Sequence, residues 1–192
     1  GACPDTNYEQ PMKGFFARKC DANENILTIF KTPKIWGELL GEVIGTMFLT
    51  IFFLILGVSA WPLYFVFCAV AIYTVVVGIS GAHLNPLVTA GMMATRRVSA
   101  IRGILYMLAQ LLGAWIALII LNAFRLAGDS LSTLPILNEV SGETFWAVAL
   151  VELIGATMIG FFFARAVRFA RKQPLTFAFA VASGITLAIV FG

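Results

Sequence analysis

A chain of 192 residues that is 60% hydrophobic and only 12% charged, with a mean hydropathy of +0.92, carries more apolar surface than a soluble core of its size can hide. The composition therefore excludes a single soluble domain and makes the bilayer part of the solvent. The net charge of +3 is too small to mark a nucleic-acid partner, and its meaning lies in where the basic residues fall.

Residues 1–33 read as a polar arm. They contain no apolar stretch ahead of a small-residue cleavage site, so the arm does not resemble a cleaved signal peptide. The sequence starts at Gly1 and stops at Gly192 inside an apolar run, and it reads as a fragment. Cys3, Cys20 and Cys68 fit no metal-ligand spacing. A Cys3–Cys20 disulfide is disfavoured if the arm is cytoplasmic, where thiols stay reduced. No metal and no cofactor are expected.

Five stretches are long and apolar enough, or nearly so, to span a membrane: 35–61, 63–79, 104–124, 144–164 and 174–191. Residues 80–97, between the second and third, are moderately apolar but broken by Gly81, Asn85, Pro86 and Gly91. They predict a re-entrant segment that dips in and returns. Of the 13 Lys and Arg residues, all but Arg125 fall in the N-terminal arm, around 96–102, or between the fourth and fifth spans. By the positive-inside rule the N-terminus is cytoplasmic and the 125–143 loop is external, in a plasma or inner membrane.

An offset of 110 residues aligns the first span with the fourth: Trp36 with Trp146, Glu42 with Glu152, Gly45 with Gly155, Phe52-Phe53 with Phe162-Phe163. The two copies enter from opposite sides, which makes an inverted repeat. The chain then divides into the arm, a first repeat (34–124), the outer loop and an incomplete second repeat (144–192). Gly41, Gly45, Gly113, Gly155 and Gly160 are expected to let helices approach closely.

An acidic residue inside a span costs about 2.5–3.5 kcal/mol on insertion scales. Glu42 and Glu152 sit at matching depths. Irregular backbone at membrane depth needs polar partners, so Glu42 is expected to brace the 80–97 loop and Glu152 a second such loop beyond the sequence. No Lys or second carboxylate is expected beside either Glu, which makes a proton relay the lesser reading.

The loop Ser80-Gly81-Ala82-His83-Leu84-Asn85-Pro86-Leu87 carries the chemistry. Asn85 reads as a helix N-cap with Pro86 at the first helical position. Gly81 permits a left-handed backbone, so the carbonyls of Gly81, Ala82 and His83 can line one side. Once the Asn85 oxygen is occupied by the helix, its NH₂ is left to face a pore, beside the positive end of the helix dipole.

This string, with AQLLGA (109–114), Glu-x-x-Gly in spans one and four, and Ala182-Ser183-Gly184, resembles the aquaporin or major intrinsic protein family. Leu87 departs from the family's usual Ala. The resemblance implies an all-α, right-handed helical bundle built from an inverted repeat, with five spans and one re-entrant half-helix present here. It also implies a passive channel rather than an enzyme, and a homotetramer with one pore per subunit. Asn85, Pro86 and Leu87 would form the pore motif, and Phe65 and Ile185 would fall at the outer constriction. Ile185 in place of the His of water-selective members suggests ammonia or urea besides water. The short outer loop makes glycerol less expected. The His83 carbonyl would face the pore while its ring shapes the cytoplasmic vestibule. A coupled transporter, which the lack of basic residues within the spans disfavours, and a junction-forming membrane protein are the rival readings.

Overall fold

The structure, a computed structural model, describes residues 29–57, 62–126 and 145–191, and the described residues hold no strand. An all-helical chain follows from the solvent: in hydrocarbon a helix satisfies its own backbone, and an open strand edge does not. Helix α1 (Pro33–Phe52) continues as a π-helical turn, Phe53–Gly57; α2 is Pro62–Ser80 and α3 is the short Pro86–Ala94. Helix α4 runs Ala100–Leu126, α5 runs Phe145–Ala166 and ends in a 3₁₀ turn, Val167–Phe169, and α6 is Pro174–Phe191. Proline opens α1, α2, α3 and α6. Its fixed φ suits the first helical turn, and the N–H it lacks has no intrahelical partner there anyway.

Pro33–Leu56, Leu63–Ser80, Ala100–Phe124 and Phe145–Phe169 are each long and apolar enough to cross a membrane; a further apolar helix, Pro174–Ile189, is shorter. Their outer faces are apolar too. On α1, Trp36, Leu40, Ile44 and Phe48 recur every fourth residue and are exposed, as are Leu108, Leu111, Trp115 and Leu118 on α4. Such stripes are stable against lipid and not against water. The chain is an integral membrane protein.

Helix α1 packs on α4 and α2, α2 on α6, and α5 on α6, while the short α3 lies against α4 and α5. An apolar core joins α2, the 81–84 turn, α3, α5 and α6, with Tyr73, Val88, Phe163, Phe177 and Val181 buried in it.

The glycines divide. A side chain at Gly113 would strike the Val43 carbonyl and the Met47 amide, so only glycine lets α4 meet α1 backbone to backbone. A Cβ at Gly45 would come within 2.6 Å of the Leu84 side chain, and one at Gly41 within 3.2 Å of Ile79. Gly155 has only ordinary contact with Ala188, and Gly160 faces open space, so the packing role expected for Gly160 is not found. Gly184, which helical spacing does not single out, is a tight position: a Cβ there would lie 2.5 Å from Phe162.

A second correction concerns charge. Helix α4 begins at Ala100, four residues ahead of the predicted apolar run, which places Arg102 in its first turn. A basic residue therefore does belong to a spanning helix. Cys3, Cys20 and most of the 125–143 loop lie outside the described residues.

Candidate pore site

Helix α2 stops at Ser80, and the chain reverses through Gly81–Leu84 into α3. Gly81 takes φ 88°, but so do two residues that resist positive φ, Ala82 at 51° and Leu84 at 48°. A left-handed residue with a Cβ costs about 1–2 kcal/mol. Something must hold this turn, and Glu42 does. One carboxylate oxygen accepts from the Ser80 hydroxyl (2.5 Å) and the His83 amide (3.1 Å); the other accepts from the Leu84 amide (2.8 Å) and Gln110 Nε2 (2.7 Å). Ser80 Oγ in turn accepts from the Ala82 amide at 3.1 Å. Glu42 is 0% exposed, and its four donors satisfy a charge that would otherwise be prohibitive at membrane depth.

The turn consequently has its amides tied inward. The Gly81 amide closes α2 on the Val77 carbonyl, and the Ala82, His83 and Leu84 amides go to Ser80 and Glu42. No hydrogen bond among the described residues ends on the carbonyl oxygens of Gly81, Ala82 or His83. Leu84 then fills the space that Gly45 leaves.

Asn85 caps α3 as its residue type predicts. Its backbone is extended (φ −154°, ψ 128°), Oδ1 accepts from the Leu87 amide at 2.8 Å, and Pro86 follows at the first helical position. The half-buried amide donates its NH₂ to no described residue. Leu87 is exposed beside it. Thr89, fully buried one turn on, donates to the Asn85 carbonyl (3.2 Å) and accepts from Gln110 Nε2 (3.0 Å). His83 Nδ1 is hydrogen-bonded with Thr89 Oγ1 at 3.2 Å.

The His83 ring does not shape a vestibule. It is buried, edge-on to Tyr106 of α4 (centroids 5.2 Å apart) and to Phe163 of α5 (5.9 Å). It ties the loop to α4 and α5. The reason is that His83 follows Ala82 in the left-handed turn, which carries its side chain into the apolar core.

Phe65 of α2 is fully buried, edge-on to Phe53 of the π turn at 6.1 Å. Ile185 of α6 is half-buried against the same apolar cluster. Glu152 is exposed on α5, and no described residue hydrogen-bonds to it.

The reading of a lone carboxylate on α1 is overturned. Glu38, one turn before Glu42, is as buried as Glu42, and it pairs with Arg102 and Tyr106. The i, i+4 spacing of the two Glu residues is the signal in the sequence that could have found it. Gln110 sits within the motif AQLLGA, whose amide the sequence alone connects to nothing.

The family profile described as Major intrinsic protein matches residues 29–192. Aquaporin-1 of Ovis aries is 34% identical over 116 residues, 58% of this chain and 43% of that protein. Aquaporin TIP1-2 of Musa acuminata is 38% identical over 90 residues, 42% of this chain and 34% of that protein. Aquaporin PIP2-7, also of Musa acuminata, reaches 62% over 37 residues, 19% of this chain and 13% of that protein. The chain thus spans less than half the length of each of these relatives. The profile covers most of the chain, the short helix capped by Asn85 included. The chain belongs to the major intrinsic protein family.

Proposed function

We propose that this chain is part of a passive channel for water, with ammonia and urea as further neutral solutes, and that the channel excludes ions and protons. The observation that carries the reading is the Asn85-capped half-helix, seated in the protein by Glu42, with the Asn85 NH₂ left unused. A water at that point accepts from Asn85, and its own hydrogens turn toward the Gly81–His83 carbonyls. A water so oriented has one acceptor position fewer for the next in file, which weakens the chain along which protons hop. The positive end of the α3 dipole, a device described generally for aquaporin-type pores, raises the barrier to cations. The names of the relatives, all aquaporins, agree with water as the main solute.

Phe65 and Ile185 are assigned to the outer constriction, and Asn85-Pro86-Leu87 with the Gly81, Ala82 and His83 carbonyls to the pore wall. The N-terminus is assigned to the cytoplasm, and four copies to the assembly, one pore each. Glu152 is assigned the bracing of a second re-entrant loop, the counterpart of what Glu42 does.

The test is stopped-flow swelling of proteoliposomes holding the whole natural protein. A fast passive flux with low activation energy is expected, and Asn85→Asp should admit cations while leaving water flux in place. Saturable, gradient-driven uptake would favour a transporter, and no flux a structural membrane protein; either result defeats the channel reading.

A further inference from the structure

Glu38 has a use that neither Glu42 nor the capped half-helix explains. It is 1% exposed on a membrane helix, where a carboxylate is costly and any apolar residue is not. Its Oε2 is ion-paired with Arg102 of α4 and also faces the Tyr106 hydroxyl at 3.1 Å. That hydroxyl lies 3.0 Å from the Ser80 carbonyl as well. A phenol has one proton, and here two acceptors compete for it. Ser80 is the residue on which the re-entrant loop starts: its side chain donates to Glu42, and Gly81 follows at positive φ.

The two carboxylates therefore hold the loop by different ends. Glu42 gathers its amides. Glu38 reaches it through Tyr106 at the carbonyl immediately before Gly81, Ala82 and His83. Arg102 supplies the countercharge that lets Glu38 stay at that depth, and it does so from the first turn of α4, with 21% of its side chain exposed.

We propose that Glu38 is a positioning residue for the pore loop: it shares the single Tyr106 proton with the Ser80 carbonyl, and so anchors to α1 the hydroxyl that meets the carbonyl from which the Gly81–His83 carbonyls continue. This rests on reading the loop as the pore wall. Glu38 itself touches no solute.

The experiment compares the whole natural protein with Glu38→Ala, Glu38→Gln, Tyr106→Phe and the Glu38→Ala/Tyr106→Phe double variant, in proteoliposomes normalised to inserted protein. Permeability per channel is expected to fall about five- to tenfold in Tyr106→Phe, the scale of one buried hydrogen bond left unmade, and by less in Glu38→Ala, where the hydroxyl keeps the Ser80 carbonyl but loses its anchor on α1. The double variant should be no worse than Tyr106→Phe alone, since Glu38 acts on the loop only through that hydroxyl. Glu38→Gln, which keeps an oxygen for Tyr106, should lose less and guards against a variant that does not fold. Amide exchange at Ala82, His83 and Leu84 should quicken in the same order. Additive losses would overturn the proposal. So would a lowered melting temperature with wild-type permeability per channel and wild-type exchange. If the wild type passes no water, the channel reading fails, and the exchange series still decides for or against Glu38.

Discussion

Glu42 and Glu152 occupy matching positions of the two repeats, each three residues ahead of a glycine, and the structure treats them oppositely. Glu42 is sealed between α1, α4 and the re-entrant turn with four donors around it, while Glu152 lies exposed on α5. The helices that carry them have much the same composition. What differs is their neighbours: Glu42 has the 81–84 turn and Gln110 beside it, and no described residue hydrogen-bonds to Glu152. A carboxylate in a membrane helix acquires its role from the backbone packed against it.

That contrast can be broken most forcefully at Glu42 itself. Glu42→Ala leaves the His83 and Leu84 amides buried without acceptors, at about 1–3 kcal/mol each, while Ala82 and Leu84 remain strained. Loss of folded protein is expected, measured as the monodisperse fraction in detergent and its melting temperature. Wild-type stability in this variant would mean that the turn holds itself.

The glycines give the next effect. Gly113→Ala drives a methyl into the Val43 carbonyl and should cost about 1–3 kcal/mol as overpacking, read from the shift in melting temperature. Gly160→Ala, facing open space, should leave melting unchanged. Equal effects at the two positions would show that the α1–α4 contact is looser than its backbone approach implies.

Asn85→Ala removes the cap of α3, a loss of about 1 kcal/mol, and should raise ion leak far more than it lowers stability. Conductance in planar bilayers beside a melting curve separates the two. A large stability loss with no leak would reassign Asn85 from donor to structural cap.

The smallest effect belongs to Glu152. Glu152→Gln in the 192-residue chain is expected to leave melting and secondary structure unchanged, because no described residue depends on that carboxylate. In a protein that sets a second Asn-Pro loop beside it, the same substitution should approach the cost seen at Glu42. A null result there would dissolve the functional half of the repeat and keep only its sequence symmetry.

Much of this architecture is legible in the residues alone. Apolar run length locates the helices, and proline, with its fixed φ, marks where several begin. Asn85 ahead of Pro86 specifies a helix start because the side-chain and backbone chemistry of capping is local. The pairing of Glu42 with the 80–97 loop also follows, since buried irregular backbone must find an acceptor. Sequence reasoning fails where the chemistry depends on distant neighbours. Arg102 looks like a flanking charge because hydropathy cannot see that Glu38, 64 positions earlier, waits beside it. His83 looks like a vestibule residue because nothing local says that the Ala82 turn carries its ring toward Tyr106 and Phe163.

The sequence by itself determined an integral membrane helix bundle, its re-entrant segment and the cap that begins α3, since hydropathy, proline and N-capping act within a few residues. Only the tertiary structure decided which carboxylate is engaged, which glycine is indispensable, and that Ala82 and Leu84 bear the strain of the turn. Those outcomes depend on hydrogen bonds and close contacts between α1, α4 and the loop, and such contacts exist only once the helices have packed.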